Sequence, residues 1–180
     1  MIWYTLLIVA VGLERLAELV VSKRNAQWSI EHGGVETGQG HYPVMVVLHS
    51  GLLLGCLAEV LLLRPPFLPV LGFTMLALVL ASQALRWWCI ATLGRRWNTR
   101  VIVVPGLPRV TGGPYRFFSH PNYVAVVVEG FALPLVHTAW ITALVFSVCN
   151  AVLLTVRIRT ENRALAALPT SAAAGDTVSR

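Results

Sequence analysis

Apolar and polar positions fall along this chain in long blocks rather than in short periods. Residues 1–21 are almost continuously apolar, and the second half of that run carries Glu14, Arg15 and Glu18. Residues 43–63, 67–93 and 123–156 are apolar again. A membrane-crossing helix needs roughly 20 residues. The last block is too long for one crossing and is interrupted around 134–138, which predicts two helices in a tight hairpin. Five spans follow. Between them lie a polar connection at 22–42, a hard turn at Arg64-Pro65-Pro66, and a polar stretch at 94–119. The first connection, at about twenty residues, is long enough to suggest a function of its own. Residues 169–180 are small and polar and predict a disordered tail behind a membrane domain at 1–168.

Composition turns this pattern into a class. Of 180 residues, 56% are hydrophobic and 12% charged, with a mean hydropathy of +0.70. A soluble domain carries about 25% charged residues. The expected fold is all-α, an integral membrane helical bundle of about five transmembrane helices. The length leaves no room for a separate soluble domain. The first block lacks a basic start and a small-residue cleavage site, so no removable signal peptide is expected. Cys56, Cys89 and Cys149 lie inside apolar runs without disulfide or metal spacing; they read as packing residues, and no metal site is expected.

The net charge of +6 is confined to a few connections. Lys23 and Arg24 follow the first span. Arg95, Arg96, Arg100, Arg109 and Arg116 follow the third, and Arg157, Arg159 and Arg163 follow the fifth. The opposite side holds only Arg64 among its short loops. The positive-inside rule then places the amino terminus outside and the carboxyl terminus in the cytosol. This charge points to anionic headgroups of membrane lipids as partners, not to nucleic acid.

Ionisable groups at membrane depth are costly and should face the bundle or a wet cavity. Glu14 and Glu18 share a helix face, and Arg15 reaches Glu18 three positions on. An ion pair with another helix and a substrate role both fit them. His49 and Glu59 lie in the second block, Gln83 and Arg86 in the third, where Trp87 and Trp88 suit an interfacial aromatic belt. Glu129 lies two turns into the fourth span, where it either lines a lipid-substrate channel or pairs with Arg86.

One stretch gathers most of the chemistry, from Thr111 through Gly112, Gly113, Pro114, Tyr115 and Arg116 to Ser119, His120, Pro121, Asn122 and Tyr123. The glycines permit a tight turn or a close approach to a ligand. Pro121 suits the first position of a helix, with His120 at the cap. A helix starting there aims free N–H groups into the loop, a seat for an anion such as a carboxylate. A plain turn between two membrane helices accounts for the same residues.

These residues carry a family resemblance. Gly113-Pro114-Tyr115, His120-Pro121-Asn122-Tyr123 and Arg157-Ile158-Arg159-Thr160-Glu161 stand in the order and approximate spacing of the isoprenylcysteine carboxyl methyltransferase family, whose members are integral membrane enzymes that use S-adenosylmethionine. The resemblance implies a cofactor-binding half at 94–168. It implies cofactor contacts from Leu107, Pro108, Arg109, Val110, Tyr115, His120, Pro121, Asn122, Tyr123 and Glu161. It also implies a substrate contact from Arg157, the catalytic candidate; Glu129, by its place in the fourth span, is a second substrate-binding candidate. The chain departs from the family at Ser119, where Arg is usual; Arg116 or Arg109 are the nearby sources of that charge. The amino-terminal half, with Glu14 to Glu18, Ser22 to Asn25 and His41-Tyr42-Pro43, resembles a bacterial branch associated with O-methylation of alkylpyrones and alkylresorcinols. That implies a bacterial plasma-membrane enzyme, its site facing the cytosol, acting on a lipophilic small molecule drawn from the bilayer.

Methyl transfer is an in-line displacement, so it asks mainly for alignment and exclusion of water. A cation that orients an oxyanion is then worth more than a general base, which suits the planar fork of Arg157; anchoring at headgroups fits the same residue. His120 suits ring contact or capping. Glu161 suits cofactor hydroxyls or ammonium, or an ion pair with Arg157 four residues earlier. Tyr115 and Tyr123 offer aromatic faces to adenine or a sulfonium, or interfacial anchors. Carboxyl methylation of a prenylated cysteine stands as the alternative reaction. A small transporter or scaffold is the alternative of another class, against which no internal repeat is visible.

Overall fold

The computed structural model describes residues 2–108 and 110–166. Five helices carry the chain: α1 (Ile2–Glu31), α2 (His41–Leu63), α3 (Pro69–Leu93), α4 (Pro121–Leu135) and α5 (Trp140–Ala166). The class is all-α apart from one small ribbon. In it β1 (Val35–Thr37) pairs antiparallel with β2 (Val101–Val103), Val35 opposite Val103. Arg109 and the predicted tail at 169–180 lie outside the described residues.

Proline and glycine set most of the boundaries. Pro65 and Pro66 follow the left-handed Arg64 (φ 46°) that ends α2, Pro69 opens α3, and Pro121 opens α4, as their missing N–H and fixed φ require. The α4–α5 hairpin breaks where predicted and is buried throughout 132–139. The Glu59 carboxylate of α2 accepts from the N–H groups of Ile141 (3.0 Å) and Thr142 (2.7 Å). It thereby satisfies free donors in the first turn of α5, which explains an acid inside an apolar block.

Among the described residues, three helical stretches are long and apolar enough to cross a membrane: His41–Leu63, Pro69–Arg96 and Trp140–Ala164. The other two helices differ. With 15 residues, α4 is about 22 Å long, short of a ~30 Å hydrocarbon core. The 30 residues of α1 include the charged Glu14, Arg15 and Glu18.

The predicted connection at 22–42 needs correction. Its first half is helix, since α1 continues to Glu31, and only 32–40 is loop and strand. Ser22, Asn25 and Ser29 are buried at helical spacing. Asn25 donates to the carbonyls of Gly94 (3.1 Å) and Trp97 (2.8 Å), and Ser22 Oγ accepts from the Thr99 N–H (3.0 Å). A stripe whose buried face is polar carries no apolar period, so hydropathy hides the helix. Cys149 is also corrected: it is exposed, unlike the buried Cys56 and Cys89, and packs no core.

The main apolar core lies at one end of the bundle. Tyr4, Ile8 and Val11 meet Leu52, Cys56, Val60, Val79, Leu133 and Phe146 there, and Tyr4 donates to the Leu133 carbonyl at 3.0 Å. Gly130 lets α4 approach α5 closely, since a Cβ at this position would run into the Phe146 ring. The basic connections gather at the other end, around the close of α1, α3 and α5.

Candidate functional site

A cavity of about 710 Å³ opens at the basic end and runs down between the helices. Its rim is built by the 111–123 stretch. Gly113 adopts φ +56° and sits against the Thr92 side chain, where a Cβ would collide. This turn buries Pro114 and starts a single 3-10 turn, Gly113–Arg116, that directs Tyr115 into the cavity. The Tyr115 hydroxyl lies against the Cys89 thiol, and burial pushes its pKa upward, so the phenol stays neutral.

His120 occupies the N-cap position of α4, but its side chain makes no capping bond. Its carbonyl instead accepts from the N–H groups of Tyr123 (3.1 Å) and Val124 (3.3 Å). The ring stacks on Tyr123, with centroids 5.5 Å apart and planes at 25°. Its Nδ1 is 3.7 Å from Glu161 Oε2, which also accepts the Tyr123 hydroxyl at 2.7 Å. Two motifs distant in sequence thus meet as one aromatic and anionic rim. Asn122 adds a buried Oδ1 with no partner among the described residues.

Below the rim, Arg157 projects from α5 and is 6% exposed. Its Nη2 donates to the Thr99 carbonyl at 2.8 Å, and Nη1 lies 3.3 Å from Met45 Sδ. The ion pair with Glu161 allowed by their spacing is not formed. Among the described residues no carboxylate pairs with Arg157, and its Nε has no partner. Its Cζ also lies 6.0 Å from the centre of the Tyr123 ring. A buried guanidinium that rests on a carbonyl, a thioether and an aromatic ring, with no carboxylate, is electrostatically incomplete, and an anion would complete it.

The floor is a closed charge cluster. Glu129 accepts from Arg15 Nη2 through both oxygens (2.9 and 2.7 Å) and also pairs with Arg86. Glu18 binds Arg15 at 2.7 Å and approaches Arg86 Nε at 3.4 Å. Gln83 bridges Glu14 and Arg15. Glu129 pairs with Arg86, as one of its two readings has it, and it also lines the cavity.

Leu107, Pro108, Val110, Tyr115, His120, Asn122, Tyr123, Glu129, Arg157 and Glu161 all line this one cavity. Pro121 does not; it is buried beneath the rim and acts by starting α4. The exposed Arg116 lies over Phe117, with its Cζ 6.0 Å from the ring, and does not stand in for the Arg absent at position 119. Sequence reasoning missed Asn98, Thr99 and Asn150, which also line the cavity, and gave His49 no role. An amide in the middle of an apolar helix was the available signal for Asn150.

The sequence profile of the Isoprenylcysteine carboxyl methyltransferase (ICMT) family matches residues 75–167. The chain is also similar to Uncharacterized protein YpbQ of Bacillus subtilis (strain 168), with 42% identity over 166 residues, covering 92% of this chain and 96% of that protein. No solved structure matches it. The matched region runs from within α3 to the end of α5 and contains Tyr115, His120, Tyr123, Arg157 and Glu161, the residues that form the rim and waist of the cavity. This protein belongs to the isoprenylcysteine carboxyl methyltransferase family of membrane methyltransferases.

Proposed function

We propose that the protein transfers a methyl group from S-adenosylmethionine to an oxygen on the compact head of a lipophilic molecule, an alkylpyrone or alkylresorcinol. One observation carries this reading. Arg157, buried and without a carboxylate partner among the described residues, stands between an aromatic, anionic rim and a deeper cavity lined by Val11, Leu16, Leu19, Val46, Leu52 and Leu53.

The rim fits the cofactor. The Glu161 carboxylate suits its ribose hydroxyls or ammonium, the unpartnered Asn122 Oδ1 suits a donor, and the stacked His120 and Tyr123 rings suit a flat or cationic group. When bound, S-adenosylmethionine supplies an electrophilic methyl group. Arg157 then orients the oxyanion of an enol or phenol through its fork of donors, and the buried waist limits access of water. The positive-inside rule puts the basic end, and so the rim, in the cytosol of a multi-pass plasma-membrane protein. The acceptor's tail lies among apolar side chains and the bilayer. Each methylene taken from water into such surroundings contributes about 0.8 kcal/mol, and a tail already in lipid gains much less. The membrane therefore concentrates and orients the acceptor rather than binding it tightly.

The polyketide head is favoured over a prenylcysteine by the likeness of the amino-terminal half to the bacterial polyketide branch, and by apolar walls at Leu16, Leu19, Leu52 and Leu53 that suit a long alkyl tail on a compact head. Competition decides it: an alkylresorcinol or alkylpyrone and a farnesylcysteine analogue are supplied at equal concentration with labelled S-adenosylmethionine. A base-stable methyl ether supports the reading. Label confined to a base-labile ester on the cysteine analogue rejects it.

A further inference from the structure

Two polar side chains deeper than Arg157 have no task in that scheme. Asn150 lies mid-way along α5 and lines the cavity at 2% exposure. Its Oδ1 is buried without a partner, and the amide makes no hydrogen bond among the described residues. Its sequence neighbours Val148, Cys149, Ala151 and Val152 offer it no polar side-chain partner. A buried amide without a partner is destabilising, a cost that a bound hydrogen-bonding group would offset.

His49 on α2 is the second. Its Nδ1 pairs with the Met45 carbonyl at 2.9 Å. A carbonyl only accepts, so this bond assigns the hydrogen to Nδ1 and leaves Nε2 as a lone pair in the neutral ring. Phe146 braces the imidazole edge to face, 5.4 Å away at 85°. Nε2 has no protein partner among the described residues, and the residue lines the cavity.

Helix register brings the two together. α2 and α5 run antiparallel, with Glu59 against Thr142, His49 against Phe146, and Met45 against Arg157. His49 is one turn, about 5.4 Å, below the methionine whose sulfur touches Arg157. Asn150 is two turns before Arg157 on the same face of α5, and helical side chains lean toward the N-terminus, so Arg157 reaches toward it. One turn is close to the span between two oxygens in a 1,3 relation on a six-membered ring. We infer that His49 and Asn150 form a second polar subsite, which holds a free hydroxyl on the acceptor's ring while Arg157 orients the oxygen that is methylated. The inference rests on the acceptor class proposed above and narrows it to heads with two 1,3-related oxygens, the second of them a hydrogen-bond donor to His49.

The test uses the full chain in detergent with labelled S-adenosylmethionine and two acceptors with identical tails, a 5-alkylresorcinol and a 3-alkylphenol. The wild type is expected to favour the resorcinol in kcat/KM by about tenfold or more, a difference of about 1.4 kcal/mol. Asn150→Leu and His49→Phe should each lower the resorcinol value toward the phenol value and leave cofactor affinity unchanged. Binding of the resorcinol without cofactor, followed by tryptophan fluorescence, should weaken in step. Equal rates on both heads in the wild type, a measurement that needs no variant to fold, overturn the subsite. So does a preference that survives both substitutions. Transfer to an alkylpyrone but to neither phenol overturns the subsite, because the pyrone's second 1,3-related oxygen is a carbonyl and cannot donate; transfer to none of the three overturns the acceptor class itself.

Discussion

Tyr123 donates its hydroxyl to Glu161 at 2.7 Å across 38 residues of sequence. The bond ties the first turn of α4 to the last turns of α5, and His120 lies 3.7 Å from the same carboxylate oxygen. The rim is therefore one assembly, and losing any member disturbs the others.

Glu161→Ala and His120→Ala are each expected to weaken S-adenosylmethionine binding about tenfold or more, equivalent to at least about 1.4 kcal/mol. Both groups sit at a partly exposed rim, so the variants should remain folded in detergent. Tyr123→Phe keeps the ring and removes only the donor, and it should cost less than either. Calorimetric titration checks all three; unchanged affinity in the first two removes the rim from the cofactor site.

Arg157→Lys retains the charge and loses the planar fork. The Thr99 carbonyl can still be reached by an ammonium, but an oxyanion can no longer be held through two donors at once. Turnover should therefore fall at least about tenfold more than cofactor affinity does, a loss of transition-state stabilisation rather than of ground-state binding. Parallel losses in the two measurements would assign Arg157 to the cofactor site or to the fold.

The charge cluster should behave as a structural unit. Removing Arg86 alone leaves Glu129 and Glu18 buried with one cation fewer, which costs about 3–5 kcal/mol in comparable settings. Arg86→Met combined with Glu129→Leu should lose less than Arg86→Met by itself, because Arg15 keeps Glu18 and Gln83 as partners. Thermal unfolding in detergent reads the order of the two.

The close approach of α4 and α5 makes a sharper test of packing. Gly130→Ala forces a methyl group into the Phe146 ring and should destabilise by about 1–3 kcal/mol, as overpacked cores do. Phe146→Leu introduced with it should recover part of that loss. A Gly130→Ala chain as stable as the wild type would show that the ring moves aside freely.

Hydropathy made the helices legible because the bilayer demands long apolar runs, and proline marked where several of them begin and end. The rim was legible for a different reason: Gly113, Pro121 and the His120–Tyr123 and Arg157–Glu161 motifs are short and chemically distinctive. The extension of α1 was not, since Ser22, Asn25 and Ser29 bury a polar stripe that resembles a loop in composition. The role of Thr99 was hidden as well. Its contribution is a main-chain carbonyl, which any residue type supplies, and only the fold brings it to Arg157. Glu129 left two options open in sequence because its pairing partners come from α1 and α3, and the structure shows the pairing.

That hidden link yields the last prediction. Asn25 donates to the carbonyls of Gly94 and Trp97, and Ser22 holds both the N–H and the hydroxyl of Thr99. The segment 94–99 is thus pinned to α1 by two side chains that do not line the cavity. Because the Thr99 carbonyl anchors Arg157, Ser22 and Asn25 position the guanidinium through this segment from outside the cavity. Asn25→Ala takes the side-chain donor from the buried Trp97 carbonyl and one of two donors from the Gly94 carbonyl, and should loosen 94–103, including β2. Amide exchange across that stretch should quicken by at least about tenfold while the helices keep their protection, a local opening rather than global unfolding. Turnover should drop with it, and cofactor affinity, which the proposed site assigns to the rim of Glu161 and His120, should change little. Asn25→Asp, which keeps the size but lacks the amide donor, should resemble alanine, whereas Asn25→Gln should recover part of the activity if its longer amide reaches the Trp97 carbonyl. Faster exchange in 94–103 with undiminished turnover would sever the link between α1 and Arg157.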